Sequence, residues 1–93
     1  MSDIRAILAL QPKRIDFRGA SVELRRPSAL DLIEALGVSK DSPERLYVWF
    51  VLRHLMQDGR PVFASMDEVL AANGPLVVEL GREIERLYEE GRD

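Results

Sequence analysis

The chain has 93 residues, 46% hydrophobic and 31% charged, with a formal net charge of −3, which predicts one folded domain over residues 1–93 rather than a disordered tail. It contains no Cys and a single His, so disulfides and thiolate chemistry are excluded and a zinc site is disfavoured. The longest apolar run has seven residues, against about 20 for a membrane-spanning helix, so we expect a cytoplasmic protein without a membrane span.

The N-terminal segment predicts a short helix followed by a β-hairpin. Ser2 can cap a helix over residues 3–10, which Pro12 closes. The stretch KRIDFRGASVELRR then alternates apolar and polar residues on either side of a Gly19-Ala20 turn, a pattern typical of a hairpin. The apolar face of this hairpin holds Ile15, Phe17, Val22 and Leu24, and the other face is basic and solvated.

A second helix is predicted over residues 29–36. Ser28 followed by Asp31 resembles a capping arrangement, and Gly37 supplies a C-terminal stop. The apolar side of this helix, which needs a core beside it, is formed by Ala29, Leu32, Ile33 and Leu36.

The third helix is predicted over residues 43–57, with Ser42 as its N-cap and Asp58-Gly59 as its end. It contains LYVWFVL, residues 46–52, which is apolar on every side of the helix. We therefore expect this helix to be central, with the hairpin on one side and the last helix on the other. Either the domain covers the run completely, or part of it faces a partner or a second copy. Trp49 is the favoured anchor in the second case, since Trp is enriched at binding hot spots.

Residues 60–63, RPVF, predict a short extended piece, and SMDE opens a fourth helix. Ser65 with Glu68 is a capping box for a helix over residues 66–72, which Asn73-Gly74 closes.

Pro75 starts the last predicted helix, which runs to about residue 90. Its apolar residues lie on one side: Leu76, Val77, Leu80, Gly81, Ile84, Leu87 and Tyr88. Gly81 in the middle of this helix costs about 1 kcal/mol relative to Ala, which predicts the close approach of a neighbouring helix. The whole pattern predicts an α+β, mainly helical fold with an N-terminal β-hairpin packed on a small bundle of about four helices.

No set of side chains in the sequence predicts catalysis. A nucleophile–base pair needs a His or an equivalent base. The one His, His54, has no carboxylate at helical spacing before Asp58, which predicts a surface or boundary residue. Asp67-Glu68 is explained by its place in the first turn of a helix, and glycine-rich phosphate motifs are absent. We expect no enzyme activity, no catalytic residue, no cofactor and no metal ion.

The charge distribution raises the question of nucleic acid. Residues 1–30 hold six of the 13 basic residues but three of the 16 acidic residues. The second and third predicted helices could be drawn as a helix-turn-helix. The third helix would then enter the DNA groove, but it would offer almost no hydrogen-bond donors to base edges. Nucleic-acid binding is therefore disfavoured. It remains in the alternative interpretation, a small dimeric regulatory or antitoxin-like protein whose basic hairpin contacts nucleic acid.

The stretch LRHLMQDGRPVFASMDEVLAANGPLVVELGREIERL, residues 52–87, resembles the tail assembly chaperones of long-tailed bacteriophages, prophages and gene transfer agents. The likeness lies in a hydrophobic helix with an acidic-Gly turn, a basic-Pro-apolar-Phe segment, a short capped helix and a final amphipathic helix. VELRRPSALDLIEAL, residues 22–36, also looks like the strand and helix that precede these elements in that family.

The resemblance implies a non-enzymatic chaperone in the host cytoplasm, absent from the finished particle. Such a protein binds the tape-measure protein, keeps it soluble and helps to recruit tail-tube subunits. Self-association would also fit, and the charge asymmetry would favour a heterologous contact. The candidate partner-binding residues are Tyr47, Trp49, Phe50 and Phe63, with Phe63 also expected to serve the fold.

Overall fold

The computed structural model of the protein describes residues 3–38, 40 and 42–90. Within them the chain forms five helices and one four-stranded antiparallel sheet. In chain order the elements are α1 (Ile4–Leu8), β1 (Lys13–Phe17), β2 (Ala20–Leu24), α2 (Ala29–Val38), α3 (Pro43–His54), β3 (Leu55–Gln57), β4 (Arg60–Pro61), α4 (Met66–Leu70) and α5 (Gly74–Glu89). The predicted α+β, mainly helical fold is confirmed.

The hairpin of β1 and β2 turns one residue earlier than predicted. Phe17 pairs with Ala20, so the turn residues are Arg18 and Gly19 rather than Gly19 and Ala20. Both turn residues have positive φ, 51° at Arg18 and 89° at Gly19, as the twist of a two-residue hairpin turn requires. The Asp16 side chain stabilises the turn by accepting a hydrogen bond of 2.9 Å from the Gly19 N–H.

The hairpin is extended by two further strands, of which β3 was not predicted and β4 lies within the predicted extended piece, residues 60–63. The third helix, expected to reach Gln57, ends at His54, and Leu55–Gln57 instead form β3. Leu24 of β2 pairs with Leu55, and a turn at Asp58-Gly59 returns the chain as β4. Here the free edge of β2 offers backbone partners from far away in the sequence, and this tertiary pairing outweighs local helix preference.

The helix starts mostly follow the predicted caps. Ser42 and Ser65 cap α3 and α4 as expected. The pair Ser28 and Asp31 is reciprocal, because the Ser28 hydroxyl accepts from the Asp31 N–H and the Asp31 carboxylate accepts from the Ser28 N–H.

Other predicted helix boundaries also differ from the structure. The N-cap of α1 is Asp3, whereas Ser2 lies outside the described residues. Asn73 was predicted to end α4 but is the N-cap of α5, because its side chain accepts a hydrogen bond from the Leu76 N–H. Gly37 does not stop α2, which continues through it to Val38.

The core lies between the sheet, α3, α4 and α5, and α3 is central as predicted. The buried apolar residues of the core are Val22, Leu24, Phe50, Val51, Leu55, Val69, Val77, Leu80, Ile84 and Leu87. The predicted close approach at Gly81 is confirmed, because a Cβ atom there would lie 2.5 Å from the Cβ of Tyr47 on α3. The two central helices therefore pack closely at this point.

The predicted apolar side of α2 is not buried. Leu32, Ile33 and Leu36 are 45% to 68% exposed, and the buried residue of this helix is Asp31. The amphipathic pattern identified the helix but not the environment of its apolar side, because a helical period does not specify which neighbour covers it.

Candidate protein-binding site

A buried carboxylate joins α2 to the rest of the fold. Asp31 accepts hydrogen bonds from Arg53 Nε at 2.8 Å and from Arg25 at 3.3 Å. Burial by itself would raise the pKa of Asp31, but the Ser28 N–H, the Arg53 hydrogen bond and the Arg25 charge together hold that pKa below its usual value. Asp31 therefore stays ionised and fixes both guanidinium groups in place.

His54 is buried, so the prediction of a surface or boundary residue was wrong. Its Nδ1 lies 2.6 Å from the Arg25 carbonyl oxygen, and its Nε2 faces the Tyr88 hydroxyl. Because a carbonyl can only accept, Nδ1 carries the proton and Nε2 accepts from Tyr88. Burial lowers the pKa of His54 to about 4. His54 therefore links α3 to α5 and to the end of β2 as a neutral ring.

A surface groove, called the Trp49 groove, lies beside the ion pairs of Asp31 with Arg25 and Arg53. Its volume is about 580 Å³, and it is lined by Arg25, Trp49, Leu52, Arg53, Met56, Pro61, Phe63 and Ala64. The Arg53 guanidinium lies 5.9 Å from the centre of the Trp49 ring, within cation–π range. The groove is thus an apolar channel with two positively charged side chains held at its wall.

Another groove, called the α2 groove, lies between α2, α3 and α5. Its volume is about 160 Å³, and it is lined by Leu32, Ala35, Leu36, Leu46, Phe50, Glu85, Tyr88 and Glu89. Phe50 packs on Tyr88, with ring centroids 4.5 Å apart. The α2 groove is apolar inside and acidic at one rim.

The four candidate partner-binding residues occupy three different places. Trp49 and Phe63 are half-buried and come together in the Trp49 groove. Phe50 is 2% exposed and belongs mainly to the core. Tyr47 lies between α3 and α5, where it packs on Gly81 and its hydroxyl is 3.5 Å from Glu85. Only Trp49 and Phe63 are therefore placed to contact a partner in the Trp49 groove, and that role stays a prediction.

The Arg residues of the Trp49 groove were missed in the sequence. Arg53 follows Trp49 by four positions on α3, a spacing that places both on one side of a helix. This signal was available. Arg25 and Met56 offered no such signal, because they reach the groove through the pairing of β2 with β3.

The basic hairpin is partly neutralised by the helix beside it. Arg18 in its turn forms an ion pair of 3.0 Å with Glu79 of α5. No group of three or more metal-binding side chains occurs among residues 3–38, 40 and 42–90. In the same part of the chain, no helix is long and apolar enough to cross a membrane.

Comparison with known proteins finds a likeness at the level of the fold. No protein-family profile and no curated protein matches the chain. Among solved structures, the chain is similar to the tail assembly chaperone of bacteriophage HK97, with a TM-score of 0.63 and 22% sequence identity. The match covers 85% of this chain and 86% of that chain. The resemblance expected from residues 22–36 and 52–87 is therefore confirmed at the level of the fold.

Proposed function

We propose that this protein is a non-enzymatic phage tail assembly chaperone that binds the tape-measure protein during tail assembly and helps to recruit tail-tube subunits. The observation that carries the proposal is the fold shared with the HK97 tail assembly chaperone over most of both chains. It acts in the host cytoplasm, for a phage, prophage or gene transfer agent, and leaves before the particle is complete.

The Trp49 groove is the proposed client site because it combines apolar lining with fixed polar groups. A client helix that is apolar on one side would insert that side between Trp49 and Phe63, in the helix-in-groove mode. Both residues are half-buried and packed against the core in the free protein. Little side-chain entropy is therefore lost on binding.

The two arginines of the groove add selectivity to this apolar contact. Arg25 and Arg53 share the buried carboxylate of Asp31, and their side chains, 37% and 35% exposed, line the groove. An acidic side chain at the edge of the client's apolar face would pair with them at a modest gain in affinity. The client segment would thus be an amphipathic helix with acidic flanks, and masking it requires neither ATP nor a covalent step.

The test is co-expression with the longest helical-repeat protein encoded near this chain, which is the candidate tape-measure protein. We expect the tape-measure protein to stay soluble and to co-purify with the wild-type chaperone. Ala64→Trp places a bulky ring at an exposed residue that lines the groove, so it should block binding while the domain stays folded. Trp49→Ala should also abolish binding, provided that circular dichroism shows a folded variant.

The matched control is Leu70→Ala, which truncates an exposed apolar side chain on α4 outside the Trp49 groove. It should leave co-purification unchanged. An insoluble tape-measure protein in the presence of the wild-type chain would contradict the proposed function. Retained binding by a folded Ala64→Trp variant would instead contradict the choice of groove.

A further inference from the structure

Helix α1 buries none of its residues against the described part of the chain. Ile4, Ile7 and Leu8 follow the i, i+3, i+4 spacing and share one side of the helix, where they are 63% to 73% exposed. A helix of five residues is far too short to be stable in water by itself. The segment therefore has an apolar side that needs a surface to cover it.

The Trp49 groove has the chemistry that this side of α1 requires. Its lining is apolar apart from Arg25 and Arg53. Asp3, the N-cap of α1, precedes Ile7 by four positions and so flanks the apolar side with a negative charge. One oxygen of Asp3 accepts a hydrogen bond of 2.9 Å from the Arg5 N–H. A carboxylate has two oxygens, so it can bind a guanidinium group at the same time. Helix α1 thus combines the apolar side and the acidic flank proposed above for a client helix.

The linker between α1 and the sheet is long enough to bring α1 to this groove within one chain. Strand β1 begins at Lys13, whose partner Leu24 immediately precedes Arg25 at the groove wall. Strand β3, on the other side of β2, carries Met56 of the same groove. Neighbouring strands lie about 4.8 Å apart, so Met56 is about 10 Å from β1. Residues 9–12 span up to about 14 Å when extended, which covers this distance.

We propose that α1 folds back over the Trp49 groove of its own chain and competes with the client for it. In the closed state, the apolar side of α1 lies on Trp49 and Phe63, and Asp3 faces the two guanidinium groups. The structure describes the open state, in which the groove is accessible. The linker holds α1 at a high effective concentration, so a contact too small to retain a separate peptide is sufficient. The inference rests on the proposed function in that the groove it regulates is the proposed client site.

A client must displace α1 before it can occupy the groove. If the closed state is about ten times as populated as the open state, the apparent Kd of the client is raised by about 10-fold. A helix with a short or weakly apolar side then binds poorly, whereas a longer client helix displaces α1 because it makes more contacts. Helix α1 would thereby cover the groove of the unoccupied chaperone and restrict it to genuine clients.

Trp49 reports on the closed state directly, because it is the one Trp in the sequence. Ile7→Gln with Leu8→Gln removes the apolar contact of α1. Both residues are exposed and Gln is a good helix former, so the circular dichroism spectrum should stay that of the wild type. The emission of Trp49 should shift to longer wavelength in this double variant. Its quenching constant with acrylamide should rise by at least about twofold, because the closed state that shields Trp49 is lost.

Two further variants control this measurement. Leu32→Gln with Leu36→Gln makes the matched change at two exposed residues of α2 outside the Trp49 groove and should leave quenching unchanged. Asp3→Ser keeps an N-cap hydroxyl but removes the charge. It should raise quenching in part and should abolish the salt dependence of quenching that the wild type shows. Dilution should leave the difference between the wild type and the α1 variant unchanged, since the contact lies within one chain.

The affinity for the candidate tape-measure protein is then compared between the wild type and the α1 double variant, which should bind about 10-fold more tightly. Three results would overturn the proposal: equal quenching of the two proteins, a quenching difference that depends on protein concentration, and equal affinity for the client. If neither protein binds the client while the difference in quenching persists, the proposed function fails and the docking of α1 stands.

Discussion

Helices α3 and α2 contact each other but are held in the fold by different forces. α3 buries Phe50 and Val51 in the core, so its position is set by apolar packing. α2 buries Asp31, so its position is set by ion pairs with Arg25 and Arg53. The difference shows that apolar residues on a helix do not by themselves reveal what holds the helix in place. Here the large apolar side chains of α2 stay exposed although the helix is firmly attached.

The largest expected effect contrasts a core residue of α5 with an exposed residue of α2. Ile84→Ala removes a fully buried side chain and should lower the free energy of unfolding by about 4 kcal/mol. Ile33→Ala makes the same change at a residue that is 67% exposed and should alter it by less than about 0.5 kcal/mol. Urea unfolding followed by circular dichroism measures both. Equal losses would mean that α2 is packed as firmly as α5.

The second prediction concerns how the free energy of unfolding depends on pH through His54, the last residue of α3. The pKa of His54 is about 4 in the folded protein and about 6.5 in the unfolded chain. The unfolded chain therefore binds a proton that the folded protein does not bind between these values, and stability should fall by about 3 kcal/mol as pH drops from 6.5 to 4. The lowered pKa of Asp31 acts in the same direction at still lower pH.

The control for the pH prediction is His54→Gln, which lacks the titrating group. Its free energy of unfolding should be lower at pH 7, because Gln replaces the hydrogen bonds to Arg25 and Tyr88 imperfectly. Between pH 6.5 and 4, however, it should change much less than that of the wild type. Identical pH profiles for the two proteins would show that His54 is not the responsible group.

The smallest expected effect compares two helical glycines. Gly81→Ala forces a Cβ atom against Tyr47 and should cost about 1–3 kcal/mol of stability, despite the better helix propensity of Ala. Gly37→Ala on α2 meets nothing within 4 Å and should stabilise the protein by up to about 1 kcal/mol. Thermal unfolding should therefore shift in opposite directions. A stabilising Gly81→Ala would refute the close contact of α3 with α5.

The candidate site could be predicted only in part. Trp49 and Phe63 stood out because large aromatic side chains are enriched at binding surfaces, and the fold brings them into one groove. Phe50 is also a large aromatic side chain, but it is buried because it packs on Tyr88 of α5. Which aromatic residue of an all-apolar helix stays accessible depends on where its neighbours pack.

Local interactions were determined by the sequence alone. Ser42 and Ser65 start their helices because a hydroxyl group satisfies N–H groups within three residues along the chain. The alternation around Arg18-Gly19 produced a hairpin, and a glycine at position 81 indicated a close helix. All of these signals lie within one element or one turn, so no distant part of the chain is needed to interpret them.

Long-range pairing was decided only by the tertiary structure. Leu55–Gln57 form a strand rather than the end of α3 because they pair with the edge of β2. This edge lies about thirty residues earlier in the chain. Asp31 and His54 are buried because Arg25, Arg53 and Tyr88 converge on them from other elements. A buried charge or ring is stable only when its partners are in place. Those partners meet only after the chain has folded.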